Sequence, residues 1–136
     1  MNRLERTLSI VKPDAVERNL TENIKKVFTE NKLKIVQEKK IQISKEEAAE
    51  FYKVHQTKPF YERLCNYLSS GPISVMILEG EDAIKKNRRI MGATDPKNAE
   101  TGTIRKLYGL SIDKNSIHGS DSTENAKKEI EFFFKN

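Results

Sequence analysis

The segment Ile73-Ser74-Val75-Met76-Ile77-Leu78 is the most strand-like stretch of the chain, because apolar side chains, three of the five β-branched, fill every position except the serine. A short, continuous apolar run is typical of a strand that is covered on both faces. The dipeptide Gly71-Pro72 directly precedes it and interrupts any helix that comes before. We therefore predict a central strand of a sheet at residues 73–78.

Weaker patterns on both sides of this strand alternate between helix and strand. Pro59 opens a predicted helix upstream, and downstream a helix over residues 81–91 ends at Gly92. The other predicted strands cover residues 7–11, 33–43 and 115–120. The other predicted helices are a short one capped by Asp14, one over residues 21–31, one from a capping box at Ser44 toward Val54, one over residues 103–107 and a last one capped by Ser122 or Thr123. About four strands that alternate with helices favour a single α/β sandwich, with the ferredoxin-like βαββαβ arrangement as one candidate.

Length and composition limit the classes of protein. The 136 residues predict one domain, residues 1–136. A net charge of +5 is compatible with nucleic acid, a membrane surface or small anions as ligands. Acidic residues accompany the basic ones nearly everywhere and no block of five like charges occurs, so we favour small anions.

Cysteine and hydropathy indicate the compartment. Cys65 is the single cysteine, which excludes an intrachain disulfide. The chain has only two histidines, so the sequence argues against a multi-histidine zinc site. The longest apolar run, residues 75–78, is far shorter than the ~20 residues that span a bilayer. The N-terminus has no apolar segment typical of a signal peptide. We expect a cytoplasmic protein with no membrane partner.

Candidate phosphate ligands are side chains, because neither G-x-x-x-x-G-K-[ST] nor G-x-G-x-x-G occurs in the chain. Arginine binds phosphate bidentately and lysine binds it as a point charge, which suits Lys12, Arg88 and Arg105. Thr94 could add a hydroxyl donor. Taken singly, each of these residues is equally explained by a solvated surface with ordinary ion pairs.

The densest polar segment, residues 115–122, reads Asn-Ser-Ile-His-Gly-Ser-Asp-Ser. It contains His118, and Gly119 leaves room for the close approach of a ligand or of another backbone. Ser120 can orient its neighbours by hydrogen bonds. A satisfied turn that leads into a helix N-cap is the alternative interpretation. The other histidine, His55, lies near a helix end, and we assign it no chemistry.

Six ordered blocks give the chain a family resemblance. Residues 115–122 resemble the N-x-x-H-[GA]-S-D signature of nucleoside diphosphate kinases, and residues 10–16 resemble the K-P-D-[GA]-V segment of that family. The other blocks are KPF at 58–60, SGP at 70–72, GATDP at 92–96 and GTIR at 102–105. The similarity runs from about residue 6 to residue 134. It implies an α+β fold, a ferredoxin-like sandwich with a four-stranded antiparallel sheet covered by helices.

The resemblance also implies an enzyme. Family members move the γ-phosphate of a nucleoside triphosphate, mainly ATP, to a nucleoside diphosphate by a ping-pong mechanism through a phosphohistidine, and so maintain NTP and dNTP pools. His118 stands at the position of the nucleophile and Glu129 at that of the residue that orients it. Ser120 matches a hydroxyl that supports the histidine, Tyr52 a phenol near the phosphates and Lys12 a catalytic cation.

Nucleotide contacts follow from the same resemblance. The positions that match phosphate ligands are Lys12, Arg88, Thr94 and Arg105. The positions that match nucleoside contacts are Asn115, with Lys12, for the sugar hydroxyls, Phe60 for the base, and Leu64 and Ile112 for the opposite side of the base. Stacking tolerates any base, because every base has a π-face. The implied cofactor is Mg²⁺, held by the nucleotide phosphates and water with no direct protein ligand.

Assembly and departures from the family pattern complete the expectations. The resemblance favours a homohexamer over the tetramer of some bacteria, and the short C-terminus resembles the bacterial branch. Val54 stands where an acidic residue is common and Thr101 where proline is common, while Glu22 and Lys32 replace glycines. The run Lys-Leu-Tyr at residues 106–108 replaces a small-Asp-aromatic run. The loss of that aspartate would alter the geometry of Arg105 or the assembly of subunits. We expect activity to survive these changes, with altered stability or turnover.

Two alternatives of other classes stay open at this point. One is a nucleic-acid-binding protein of the same fold, which the positive charge supports but which lacks the aromatic motif of RNA-recognition domains. If the chain is an active enzyme, nucleic acid is at most its secondary partner. The other is a regulatory module that binds nucleotide and forms no phosphoenzyme.

Overall fold

A four-stranded antiparallel sheet forms the centre of the computed structural model, which describes residues 4–112 and 114–134. The strands are Leu4–Val11 (β1), Lys34–Ile41 (β2), Ile73–Glu81 (β3) and Ile117–Gly119 (β4). Their order is β2-β3-β1-β4, and each neighbouring pair is antiparallel. The expected α+β, ferredoxin-like sandwich is therefore confirmed. Residues 1–3, 113 and 135–136 of the predicted domain lie outside the described residues.

Helices cover both faces of this sheet. They are Pro13–Glu17 (α1), Thr21–Glu30 (α2), Lys45–Phe51 (α3), Tyr61–Leu68 (α4), Ala83–Met91 (α5), Ile104–Tyr108 (α6) and Thr123–Phe134 (α7). On one face Val75 of β3 belongs to a core with Leu68 and Phe133, and on the other Met76 belongs to a core with Phe28. The prediction of a central strand covered on both faces is confirmed. Within the described residues, no helix is long and apolar enough to cross a bilayer.

The helix boundaries follow local chemistry only in part. The capping box is confirmed, because Ser44 Oγ accepts from the Glu47 N–H and the Ser44 N–H donates to the Glu47 carboxylate, both at 3.0 Å. However, α3 stops short of Val54, since the chain tightens into a 3₁₀ turn at Lys53–His55. Helix α4 also begins after Pro59 rather than at it, because this proline lies in the preceding turn.

The prediction that Asp14 caps α1 is wrong. The helix begins at Pro13, where a missing N–H costs nothing, and Lys12 occupies the N-cap without a side-chain cap. The side chain of Asp14 is only 3% exposed and turns into the protein, where Ser116 Oγ donates to it at 2.8 Å.

Lys32, where the resemblance leads us to expect glycine, ends α2 in a left-handed conformation with φ of 63°. Its N–H donates to the Thr29 carbonyl at 3.1 Å, and the Leu33 N–H donates to the Phe28 carbonyl at 2.9 Å. These two bonds form a Schellman motif, in which glycine is the usual residue. The motif therefore forms here in spite of the strain of a Cβ.

The junction of β1 and β4 brings distant polar segments together. Strand β4 pairs with the end of β1, so that Lys12, which follows β1, donates its N–H to the Ser116 carbonyl at 2.8 Å. Gly119 lets α5 approach β4 closely, since a Cβ there would lie 2.5 Å from two side-chain atoms of that helix. This packing fixes the backbone on which His118 stands.

Candidate active site

A cavity of about 700 Å³ opens between the α3–α4 hairpin, β4 and α7. Every residue that the sequence predicts for the site lines this cavity, except Ser120. The predicted residues in its wall are Lys12, Tyr52, Phe60, Leu64, Arg88, Thr94, Arg105, Ile112, Asn115, His118 and Glu129. They are spread along the chain from residue 12 to residue 129, so the fold rather than local sequence collects them.

His118 is held by a carboxylate of α7. Its Nε2 lies 2.9 Å from Glu129 Oε1, and Ser120 Oγ donates to the same oxygen at 2.8 Å. Ser120 is fully buried and also accepts from the Leu8 N–H at 3.3 Å. The Phe51 ring meets the imidazole edge-on, with ring centroids 5.3 Å apart. A neutral imidazole that donates from Nε2 to the carboxylate carries its lone pair on Nδ1, which has no hydrogen-bond partner among the described residues.

Arg105 is anchored by backbone carbonyls. Its two terminal nitrogens donate to the Gly92 carbonyl at 3.0 Å and to the Ile117 carbonyl at 2.9 Å. Burial, and next the charge of Arg88, lower the pKa of Arg105 to about 10, so it stays cationic at neutral pH. Its Nε is buried and has no hydrogen-bond partner within residues 4–112 and 114–134. The replaced run at residues 106–108 has not displaced this guanidinium from the cavity.

Asn115 joins two other predicted ligands. Its Oδ1 accepts from Lys12 Nζ at 2.9 Å, and its Nδ2 donates to the Thr94 carbonyl at 3.0 Å. Asn115 and Lys12 are only 2% and 6% exposed, so both side chains are fixed before any ligand enters. A preformed amide–ammonium pair suits hydroxyl and phosphate groups, because it offers donors in a fixed geometry.

The cavity wall carries an excess of positive charge. Among the residues that the structure describes, it contains six basic side chains and three acidic ones. The basic residues are Lys12, Lys53, Arg63, Arg88, Arg105 and Lys128, and the acidic residues are Glu50, Asp121 and Glu129. A hydrogen bond from Asn125 holds the pKa of Asp121 below its ordinary value, so that carboxylate is ionised. A cleft of net positive charge concentrates anionic ligands.

Aromatic and apolar side chains occupy the other part of the wall. Phe60 is half-buried and Ile112 is 53% exposed, so both offer apolar surface to a flat ligand. Tyr52 is buried, and burial together with the charge of Glu129 raises its pKa, which keeps the phenol protonated. The cavity therefore has a cationic part and an apolar part.

Two aromatic rings of this wall close to the predicted site residues, those of His55 and Phe51, were not predicted as site residues. His55, which we had assigned no chemistry, lies between Tyr52 and Phe60, with ring centroids 6.3 Å and 5.9 Å away. Burial, and next the charge of Lys58, lower its pKa. Phe51, which packs against the nucleophile candidate, was also missed. Phe51 is the last residue of α3 and His55 ends the 3₁₀ turn that follows it, and no sequence signal marked that boundary.

The fold and the site define a class: α+β sandwich proteins with a histidine–glutamate pair inside a cation-lined cleft. The sequence profile of the nucleoside diphosphate kinase family matches residues 5–136. The chain therefore belongs to the nucleoside diphosphate kinase family.

Individual relatives agree with this assignment over nearly the whole chain. The chain is 57% identical over 131 residues to a nucleoside diphosphate kinase of Nitratiruptor, covering 96% of both chains. It is 54% identical to the one of Bartonella tribocorum, over 96% of this chain and 94% of that protein. The structure is similar to the Aquifex aeolicus nucleoside diphosphate kinase with a TM-score of 0.96 and 43% identity, over 98% of this chain and 97% of the other.

Proposed function

We propose that this chain transfers the γ-phosphate of a nucleoside triphosphate, mainly ATP, to a nucleoside diphosphate through a phosphohistidine at His118, and so maintains NTP and dNTP pools. Family membership supports the reaction class. The observation that carries the mechanism is the contact of His118 Nε2 with Glu129 at 2.9 Å, because it leaves Nδ1 as the nucleophile.

The reaction has two symmetrical halves. In the first, the Nδ1 lone pair of His118 attacks the γ-phosphorus, and the bond from phosphorus to the bridging oxygen breaks to release the nucleoside diphosphate. The Nε2 proton stays on the ring, and Glu129 stabilises the positive charge that develops there. In the second half, a β-phosphate oxygen of the acceptor attacks the phosphorus and the N–P bond breaks.

Cationic side chains stabilise the transferring group. Arg105, Arg88 and Lys12 lie around the same cavity as His118, and the buried Nε of Arg105 is a donor that a phosphate oxygen can satisfy. Thr94 adds a hydroxyl. Charge stabilisation of this kind accounts for most of phosphoryl-transfer catalysis.

The remaining wall fits a nucleoside. Asn115 and Lys12 would donate to the sugar hydroxyls from their fixed positions. Phe60 would stack on the base, and Leu64 and Ile112 would cover its other side. Stacking without hydrogen bonds to base edges accepts purines and pyrimidines alike.

Magnesium would enter this site as an ion carried by the nucleotide. In the described part of the wall, one oxygen of Glu129 accepts from His118 and Ser120 and Asp121 accepts from Asn125, while Glu50 is exposed. Within the described residues, no three histidine, cysteine or acidic side chains cluster as metal ligands would. Bound Mg²⁺ would neutralise phosphate charge, with the phosphates and water as its ligands.

We further propose that residues 1–136 act as one domain, in the cytoplasm, and that copies assemble as a homohexamer in preference to a tetramer. Leu107 and Leu110, which are 55% and 60% exposed, give apolar surface for such contacts. Nucleic acid remains a secondary partner only. Sedimentation of the purified chain, with and without RNA, tests the homohexamer and the secondary role of nucleic acid.

Incubation of the protein with γ-labelled ATP and Mg²⁺, followed by unlabelled GDP, tests the proposed reaction. We expect an acid-labile, alkali-stable label on the protein that GDP converts into labelled GTP, and no label in His118→Ala. A folded protein that binds ATP but never becomes labelled would contradict the kinase and support a binding module without turnover.

A further inference from the structure

Asp14 lies outside the cavity, yet it holds the backbone on which part of the cavity stands. Its carboxylate is only 3% exposed and accepts three hydrogen bonds from side chains of different segments. Ser116 Oγ donates at 2.8 Å and Arg18 donates at 3.1 Å to one oxygen, while the Tyr67 hydroxyl donates to the other. The Asp14 N–H in turn donates to the Tyr67 hydroxyl at 2.7 Å.

Ser116 is the member of this cluster that adjoins the cavity residues. It adopts a left-handed backbone conformation with φ of 75°, which a residue with a Cβ avoids. Its carbonyl accepts from the Lys12 N–H at 2.8 Å, and its hydroxyl donates to Asp14 and accepts from Arg18 at 3.4 Å. The Ile117 N–H also donates to the Asn115 carbonyl across the turn, at 2.9 Å. Asn115 directly precedes Ser116, and strand β4 follows. The turn at Ser116 thus determines where the Asn115 amide points.

Arg18 ties the cluster to a further segment and balances its charge. Besides its bond to the carboxylate, Arg18 Nε donates to the Asp14 carbonyl at 3.1 Å, and a terminal nitrogen donates to the Tyr108 carbonyl. The carboxylate is therefore fixed by Arg18, by Tyr67 of α4 and by Ser116, and Arg18 is itself bound to the end of α6. A group held this rigidly can hold Ser116 in its strained conformation.

We propose that Asp14 is a positioning residue for the nucleotide sugar, which acts through Ser116 on the Asn115–Lys12 pair. This inference rests on the proposed function, in which that pair binds the sugar hydroxyls. Without the Asp14–Ser116 bond, Ser116 relaxes out of the left-handed conformation and the Asn115 amide leaves the position in which it holds Lys12 Nζ.

The test compares the Kd of ADP with that of 2′,3′-dideoxy-ADP, which lacks both sugar hydroxyls, in the full-length protein. In Asp14→Ala, which removes the acceptor of the Ser116 bond, we expect ADP to bind about tenfold more weakly, and dideoxy-ADP about twofold or less. Combined with Asn115→Ala, the Asp14→Ala change should add no further loss. Equal weakening of both nucleotides, or additive losses in the double variant, would overturn the proposal.

Two further variants separate positioning from stability. Ser116→Ala removes the same hydrogen bond from the other side and should reproduce the change in the ADP to dideoxy-ADP ratio, so it carries the test if Asp14→Ala does not fold. Tyr67→Phe lowers Tm but leaves Ser116 bonded, so the ratio should not change. A ratio that changes in Tyr67→Phe as much as in Asp14→Ala overturns the proposal. Because Kd is measured without turnover, a wild-type protein that binds ADP but transfers no phosphate refutes the proposed function and not this inference.

Discussion

Replacement of Glu129 changes the charge next to His118 without changing the shape of the site. One oxygen of Glu129 accepts from both His118 Nε2 at 2.9 Å and Ser120 Oγ at 2.8 Å, and a glutamine oxygen can accept the same two bonds. A hydrogen bond to a charged group contributes about 1.5–3 kcal/mol and a neutral one about 0.5–1.5 kcal/mol. The difference, about 1–1.5 kcal/mol, corresponds to a loss of about tenfold in rate. Alanine removes the acceptor altogether, and roughly 10- to 150-fold should then be lost.

The loss should appear in the chemical step and not in binding. Positive charge grows on the imidazole as the N–P bond forms, so the carboxylate stabilises the transition state more than the ground state. The assay is rapid-quench formation of labelled phosphoenzyme from ATP, with the Kd of ATP measured in parallel. We expect Glu129→Gln to slow phosphorylation about tenfold with an unchanged Kd.

A matched control lies on the same helix. Glu124 pairs with Lys128 at 3.3 Å, and both side chains are at least 70% exposed. Glu124→Gln removes the same charge from α7, but at a position that is far less buried than Glu129. It should leave the rate unchanged, because exposed ion pairs contribute little. If Glu129→Gln phosphorylates as fast as Glu124→Gln, or if its Kd for ATP rises instead, the assigned role of Glu129 is refuted.

Four further substitutions test the fold by urea unfolding. Gly119→Ala should lower the free energy of unfolding by about 1–3 kcal/mol, because its Cβ would lie 2.5 Å from side-chain atoms of α5. The control is Gly71→Ala, whose Cβ would lie 3.6 Å from Pro13 Cβ and which should change that free energy by less than about 0.5 kcal/mol. Equal effects of the two substitutions would contradict the close packing of Gly119 against α5. Lys32→Gly should raise it by about 0.5–1 kcal/mol, since glycine adopts the left-handed conformation without strain, and a decrease would show that the strain is absent. Burial raises the pKa of Glu38, but the hydrogen bond and charge of Lys25 contribute to a net pKa below the ordinary 4.5. Wild type should therefore exceed Glu38→Gln in stability at neutral pH, and this advantage should vanish as the pH falls through the lowered pKa of Glu38. A wild-type advantage that persists in strong acid would show that the charged form of Glu38 is not what stabilises the fold.

The parts of the fold that follow local rules could be predicted from the sequence. The continuous apolar run at residues 73–78 predicted a strand covered on both faces, and the Ser44 capping box marked the start of α3. Both are signals that a short segment carries by itself. Left-handed backbone at Lys32 and Ser116 could not be predicted, because hydrogen bonds to other segments or turns outweigh the local preference of these residues.

The candidate site was predictable only through the family resemblance. Composition and spacing left Arg105 as one of several surface cations, whereas its position depends on carbonyls of Gly92 and Ile117. Asp14 was predicted as a helix cap because aspartate often is one, but a buried partner more than a hundred residues away decides its conformation. His55 was missed for the same reason: the fold, not the sequence around it, turns the ring into the cavity wall.

The ring nitrogen that carries the phosphate is the most direct test of the central claim. Phosphorylated protein, prepared with ATP and Mg²⁺ and freed of nucleotide, can be examined by ¹H–¹⁵N and ³¹P NMR, which distinguish a phosphate on Nδ1 from one on Nε2. Because Glu129 engages Nε2 at 2.9 Å, the predicted product is His118 phosphorylated at Nδ1. A phosphate on Nε2, on His55 or on any other residue would contradict the account.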